Sequence, residues 1–327
     1  MHHINRRRFA SLCAGTLAGL STANYAQTRP ELAKIFVPFP AGGTTDVMAR
    51  LLAEQLRGEI ADTVVVENKT GAAGRIAIQA LRSAPADGLT LMLHASGIQS
   101  LYPHVLKQPG YDPFVDVAPV STLTRIEACY VVGSAVPASV KTLQDYLAWA
   151  RTDKRNATVA SPGPGTPHHM LAVVLGQQAK VDLALAHYRG STAAFPDIMG
   201  GQVAAGCTPL NDALMQMASG KIRILATSGD KRSGQTPDVP TFIEQGFPQL
   251  VTSDYFTVFV HGKTPVAMQE RLSGVIHKAI AAPAVVAGFK RLFIEPVGST
   301  PQEAVRIAQA AYEVNGRMVK AVGYEPE

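Results

Sequence analysis

Short apolar runs alternate with amphipathic stretches through the first third of the chain. Residues 34–37 (Lys34, Ile35, Phe36, Val37) read as a strand, ended by Pro38, Pro40 and the pair Gly42, Gly43. From about Thr44 the apolar positions Val47, Leu51, Leu52 and Leu56 recur on one helical face. Val64, Val65 and Val66 predict a second strand, and a second helix opens after Gly71–Gly74 through Ile76, Ala80 and Leu81. Asp87 and Gly88 turn into a third strand over 89–93. Strand, helix, strand, helix, strand predicts a parallel, right-handed, doubly wound layer.

The middle repeats this logic. An extended stretch over 117–132 precedes a helix carrying Leu143, Tyr146, Leu147 and Ala150. Then come a strand at 158–160, a loop rich in glycine and proline, and a helix over about 166–179. Residues 183–188 read as extended, 192–199 as helical, 222–227 and 251–260 as strands, and the C-terminal part as mainly helical. Met215 and Met217 beside Leu214 suggest core packing. With 327 residues, 46% of them hydrophobic, the chain exceeds what one core usually serves. The expectation is an α/β protein of two doubly wound lobes joined by crossing strands. Lobe 1 takes 27–125 and 228–327, and lobe 2 takes 126–227.

The N-terminus changes the charge picture. Arg6, Arg7, Arg8 and Phe9 precede a short apolar run over 10–20 and small residues near Ala23 and Ala26. That is the layout of an export signal over 1–26, compatible with either the Sec or the twin-arginine route, with Ala23 as the other cleavage position. The run is too short for a membrane span of about 20 residues. The segment carries three arginines and no acid, so its removal lowers the formal charge from +5 to +2. The remainder has no basic cluster interleaved with aromatics, so nucleic acid is not an expected partner. Cys129 and Cys207 then remain, and an oxidising compartment would permit a disulfide between them.

Two loops carry the candidate chemistry. Pro38, Phe39, Pro40, Ala41, Gly42, Gly43, Thr44, Thr45 and Asp46 join a strand to a helix; Ser161, Pro162, Gly163, Pro164, Gly165, Thr166 and Pro167 do the same about 120 positions later. The first turn of a helix has amides without an intrahelical acceptor and a positive dipole end, which suits a carboxylate or phosphate. Thr44, Thr45 and Thr166 add hydroxyls. Pro167 removes one amide, so the second loop would lean on Thr166 and the amides of His168 and His169. The plainer alternative is two tight turns using glycine for its φ freedom. Two such loops, both at carboxyl ends of strands, favour one crevice, onto which the strand end His94, Ala95, Ser96, Gly97 would also open.

These residues resemble a known family. Residues 37–46, 65–74 and 86–91 are similar to substrate receptors of tripartite tricarboxylate transporters, the Bug receptors. The resemblance continues through Tyr111-Asp112-Pro113-Phe114, Tyr188-Arg189-Gly190-Ser191, Gly200-Gly201-Gln202-Val203, Ser219-Gly220-Lys221-Ile222-Arg223 and Pro237-Asp238-Val239-Pro240-Thr241. It implies a type II periplasmic binding protein fold whose lobes close on a carboxylate. The contacts it implies lie in the two loops, Phe39, Gly42, Gly43, Thr44, Thr45, Asp46, Gly165 and Thr166, with Tyr188 and Ser191 facing the same cleft; Ser96 and Gly97 join them from the third strand end read above. It also implies a periplasmic, monomeric, non-enzymatic receptor without a cofactor, partnered by a membrane permease or a signalling sensor. Where the family commonly has Phe-Asp-Asn, this chain has Cys207, Thr208 and Pro209. Thr208 then replaces an acid able to meet an ammonium, which favours a carboxylate without an amine.

Enzymatic readings are weaker. Gly163-Pro164-Gly165 lacks the third glycine of a dinucleotide fingerprint, where His168 stands, and Gly262-Lys263-Thr264 lacks the earlier glycine of a P-loop. No nucleophile elbow, His-Glu-x-x-His or Cys-x-x-Cys motif is present. His168 and His169 are adjacent on a helix and diverge by about 100°, so cleft lining or capping suits them better than a shared metal. Asp46 fits a brace for loop amides better than a catalytic acid, and Cys207 lacks a base partner. A secreted hydrolase or isomerase on a related scaffold is the alternative.

Overall fold

The structure, a computed structural model, describes residues 29–321 and 323–326; the export signal read at 1–26 lies outside them. The fold is mixed α/β. Nine strands form one sheet in the order β2-β1-β3-β9-β4-β7-β5-β6, with β8 paired to β4. Strands β1 (Leu32–Val37), β2 (Thr63–Asn68) and β3 (Thr90–Ala95) are parallel, as the alternation with helices predicts. Helices α1 (Thr44–Leu56) and α2 (Arg75–Arg82) connect them. Beyond β4 (Val117–Val132) and helix α3 (Leu143–Ala150), a second parallel set comprises β5 (Thr158–Ser161), β6 (Ala184–His187) and β7 (Ala205–Pro209). Its connecting helices are α4 (Pro167–Ala179) and α5 (Ser191–Gly200), and α6 (Leu210–Met217) leads from β7 to β8 (Arg223–Thr227). The chain ends with β9 (Ser253–His261), α7 (Val266–Ile280), α8 (Pro283–Arg291) and α9 (Pro301–Ala321).

Two long strands run antiparallel to these sets. Residues 117–127 of β4 pair with β9, with two register shifts, whereas 128–132 pair with β7 and β8. Ser228 fixes the changeover. Its Oγ accepts the Ala128 amide (2.9 Å) and donates to the Thr252 carbonyl (2.6 Å), tying both crossing strands at one point. The buried apolar residues divide along the same line. One cluster packs Ile35, Val37, Leu52, Leu91, Val258 and Phe289, all at or below 1% exposure, and another packs Tyr130, Tyr146, Val159, Leu175, Cys207 and Phe242. Each large aliphatic or aromatic side chain so enclosed contributes about 1.5–3 kcal/mol relative to exposure.

Three details depart from the sequence expectation. Strand β7 consists of small residues (Ala205, Gly206, Cys207, Thr208, Pro209) and leaves no apolar run to read. Met215 and Met217 are about 40% exposed and do not pack a core. Cys129 and Cys207 are free and buried. They occupy adjacent positions on paired antiparallel strands, Cys129 opposite Thr208 and Cys207 opposite Tyr130, so their side chains leave opposite faces of the sheet and cannot meet.

Candidate functional site

Because β1, β3, β5, β6 and β7 point the same way within their sets, their carboxyl ends gather around one cavity of about 250 Å3. Loop 38–46 supplies Phe39, Pro40, Ala41, Gly43, Thr44 and Thr45; the end of β3 supplies His94, Ala95 and Gly97. The loop after β5 supplies Pro162, Thr166, Pro167 and His168. After β6 come Arg189, Gly190, Ser191, Thr192 and Ala193, and after β7 Pro209 and Asp212. Strand β9 enters from the opposite direction, with Phe256 facing Ala95 in the register, and adds Asp254. Both glycine-rich loops open onto this cavity.

The first loop is held from below. Gly42, at φ +82°, turns its amide onto Asp46 Oδ2 (2.9 Å). Asp46 also accepts from Arg50 Nε (2.9 Å) and Asn68 Nδ2 (2.9 Å), and Asn68 reaches the Phe39 carbonyl (3.0 Å). Burial pushes the Asp46 carboxyl up, but Arg50, the Gly42 amide and Asn68 together hold it below its ordinary value. Gly42 and Asp46 therefore brace the loop from outside the cavity. Gly43 precedes α1 without a side-chain cap, so the first-turn amides of Thr44, Thr45 and Asp46 have no acceptor within their helix.

The second loop consumes most of its own donors. Thr166 Oγ1 accepts the His169 amide (3.2 Å) and donates to the Gly163 carbonyl (2.8 Å), while the Gly165 amide donates to His169 Nδ1 (2.9 Å). Pro167, at the first helical position, has no amide, so His168 is the first-turn amide left to a ligand. Gly165 stays outside the lining. Burial lowers His168 to a pKa of about 4, so the side chain facing the cavity is neutral at pH 7.

Two other predicted residues sit beside the cavity without reaching it. The Tyr188 hydroxyl donates to Asp197 (2.6 Å), and Ser96 donates to Asp254 (2.6 Å). Thr208 is fully buried in β7, its hydroxyl 3.5 Å from Cys129 Sγ. It does not line the cavity, so its identity says nothing direct about an ammonium.

The structure also brings in groups that the sequence left unassigned. Helix α5 begins at Ser191 after Gly190 (φ +98°), which adds a further uncapped helix start on the cavity, with Arg189 beside it. Among the described residues the Arg189 guanidinium pairs with no carboxylate. Asp212, in the first turn of α6, is 8% exposed. It accepts from Thr44 Oγ1 (2.6 Å), Asn211 Nδ2 (3.0 Å) and Ser191 Oγ, which links the starts of α1 and α5. Burial raises its pKa, against the opposing pull of those three donors. The signal for Asp212 would have been strand β7, whose end places the next helix start at the same rim. His94, 1% exposed, turns Nδ1 to the Ala95 carbonyl (3.0 Å) and leaves Nε2 without a partner. A Cβ on Gly74, which sits at φ +88°, would come within 2.0 Å of that nitrogen. Among the described residues no group of three or more His, Cys, Asp or Glu is placed to hold a metal ion.

Residues 48–324 match the profile of the tripartite tricarboxylate transporter family receptor. The chain belongs to this receptor family. Among solved structures, the periplasmic binding protein BugD superposes with a TM-score of 0.82 at 27% identity, covering 91% of this chain and 99% of BugD. Rpa4515 of R. palustris, solved with adipate, gives 0.83 at 28% identity over 92% and 99% of the two chains. MatC of Rhodopseudomonas palustris, with bound malate, gives 0.80 at 25% identity over 89% and 99%. The periplasmic binding protein fold expected from the resemblance is the fold of these receptors.

Proposed function

We propose that this receptor captures a small carboxylate-bearing solute in the cavity, outside the cytoplasm, and passes it to a membrane permease of the tripartite tricarboxylate type. The observation that carries this reading is the convergence of uncapped helix starts, those of α1 and α5 above all, on one cavity of about 250 Å3. Unpaired amides and the positive ends of two helices favour an anion without a buried counter-ion. Adipate and malate in the two neighbours support a carboxylate as the anion.

In this reading the ligand carboxylate takes the amides of Thr44 and Thr45 and those opening α5, with Arg189 at the mouth. Phe39, Gly43, Gly97, Thr166 and Ser191 form walls, while Gly42, Asp46, Ser96 and Gly165 hold the wall residues in place. Tyr188 and Thr208 act only through their neighbours. The lobes, 27–125 with 228–327 and 126–227, close by bending the crossing strands near Ser228. Residues 1–26 direct export to the periplasm. Binding rather than turnover is the role: the receptor family supports it, and burial raises Cys207, the thiol considered as a nucleophile, far above its ordinary pKa.

The test is a panel of mono- and dicarboxylates, followed by melting temperature and calorimetry on the purified protein. At least one carboxylate at a hundred times its Kd should add about 2.7 kcal/mol of stability by linkage. A flat panel would remove the reading.

A further inference from the structure

The cavity holds more negative charge than a site for plain carboxylates needs. Its lining includes two buried carboxylates, Asp212 and Asp254, against one cation, the exposed Arg189. No Lys, Arg or His side chain lies within ion-pair distance of either acid among the described residues. Their surroundings differ. Asp254 Oδ1 accepts from Ser96 Oγ (2.6 Å) and the Tyr255 amide (2.8 Å), and the amides of Ser96 and Gly97 also lower its pKa against burial. It is a braced structural group. Asp212 meets three neutral donors: Thr44 Oγ1 and Asn211 Nδ2 on Oδ1, and Ser191 Oγ on Oδ2. A carboxylate offers about four lone-pair sites, so Oδ2 keeps one open. A buried carboxylate met only by neutral dipoles is undercompensated, and a cation placed against it removes that cost.

We propose that the ligand is a small zwitterion, an amino carboxylate whose ammonium sits against Asp212 while its carboxylate takes the helix-start amides. The inference rests on the carboxylate reading above and narrows its ligand class. Asp212 stands between Thr44 and Ser191, at the junction of the two helix starts that would receive the carboxylate. An amine on the carbon next to that carboxylate is therefore within reach of both groups at once. A second carboxylate at the same place would meet the like charge of Asp212 at close range. His94, also on the lining, adds no donor to the cavity: Nδ1 carries its proton towards Ala95, and the unpartnered Nε2 faces Gly74. The acid is thus present in this cavity, supplied by the start of α6 rather than by position 208.

The experiment compares acids that differ only by the amine: glutamate with glutarate, aspartate with succinate, alanine with propionate, and phenylalanine with 3-phenylpropionate. Calorimetry on the purified protein should find at least one amino acid bound tenfold or more tightly than its amine-free partner. Asp212→Asn, nearly isosteric, should shrink that preference by tenfold or more, the amino acid losing more affinity than its amine-free partner. Retained circular dichroism and cooperative melting establish that the variant folds, and the wild-type discrimination stands as a readout independent of it. Amine-free acids that bind as tightly as, or more tightly than, their amino partners in the wild type would overturn the inference and leave the carboxylate reading intact. Equal loss for both partners in Asp212→Asn would make Asp212 a tie between helices and also overturn it. No binding by any of the eight compounds would count against both readings.

Discussion

Loops 38–46 and 161–167 share a signature, glycine and proline followed by threonine at a helix start, yet their hydrogen bonds end in different places. In the first, Asp46 reaches back beneath the turn to hold the Gly42 amide, so the first turn of α1 is left open. In the second, Thr166 bonds to the His169 amide and the Gly163 carbonyl, and His169 takes the Gly165 amide. One loop leaves the first-turn amides of its helix without a side-chain cap; the other spends most of its donors on itself. Glycine content reports that a backbone can approach a ligand. Which donors remain depends on the nearest side chain able to compete for them.

Gly43→Val should break this comparison most severely. Gly43 lies at φ −75°, a conformation valine tolerates, so the fold should survive. A Cβ there would already lie 3.4 Å from the Pro40 carbonyl and 3.7 Å from Thr192 Oγ1 at the cavity wall. The valine branches would fill space that a ligand needs. Affinity for whichever carboxylate the panel identifies should fall about a hundredfold, equivalent to about 2.8 kcal/mol, with little change in melting temperature. Calorimetry giving unchanged affinity would take the start of α1 out of the site.

Asp46→Asn tests the brace rather than the contact. The asparagine nitrogen would face the donors of Gly42, Arg50 or Asn68, leaving one buried group unsatisfied at a cost of about 2 kcal/mol. The pH dependence has a definite sign. Asp46 is held below its ordinary value in the fold, so its stabilisation is complete above about pH 4, near the unfolded pKa, and is lost as pH falls through the lower folded value. Urea melts from pH 7 to pH 2 should show wild type and variant converging at the acid end. A constant gap across that range would mean that Asp46 does not act through its charge.

Much of this contrast was legible in advance, and its limits have physical causes. The strand–helix alternation, both loops, the bracing role of Asp46 and the Pro167 helix start could all be read because each rests on local spacing. Strand β7 could not, since a strand of Ala, Gly, Cys and Thr carries no apolar alternation. Losing that strand hid Asp212, whose importance depends on its meeting Thr44, 168 positions away in the sequence. The emphasis on Thr208 failed for the same reason: only strand register turns its side chain to Cys129 instead of the cavity. Arg189 stood within a legible motif, but its exposure towards the cavity mouth depends on where β6 ends.

Thr166→Val gives the smallest effect and the sharpest separation of the two loops. Valine keeps the shape but neither accepts the His169 amide nor donates to Gly163. Loss of a helix N-cap costs about 1 kcal/mol, so the melting temperature should fall by a few degrees. Ligand affinity should change by less than about threefold, a difference of about 0.7 kcal/mol, because the hydroxyl was already spent within the loop. A loss of affinity as large as that of Gly43→Val, without the stability cost, would show that Thr166 abandons its cap when the ligand arrives. The two loops would then be equal partners in binding, and the difference between them would belong only to the empty receptor.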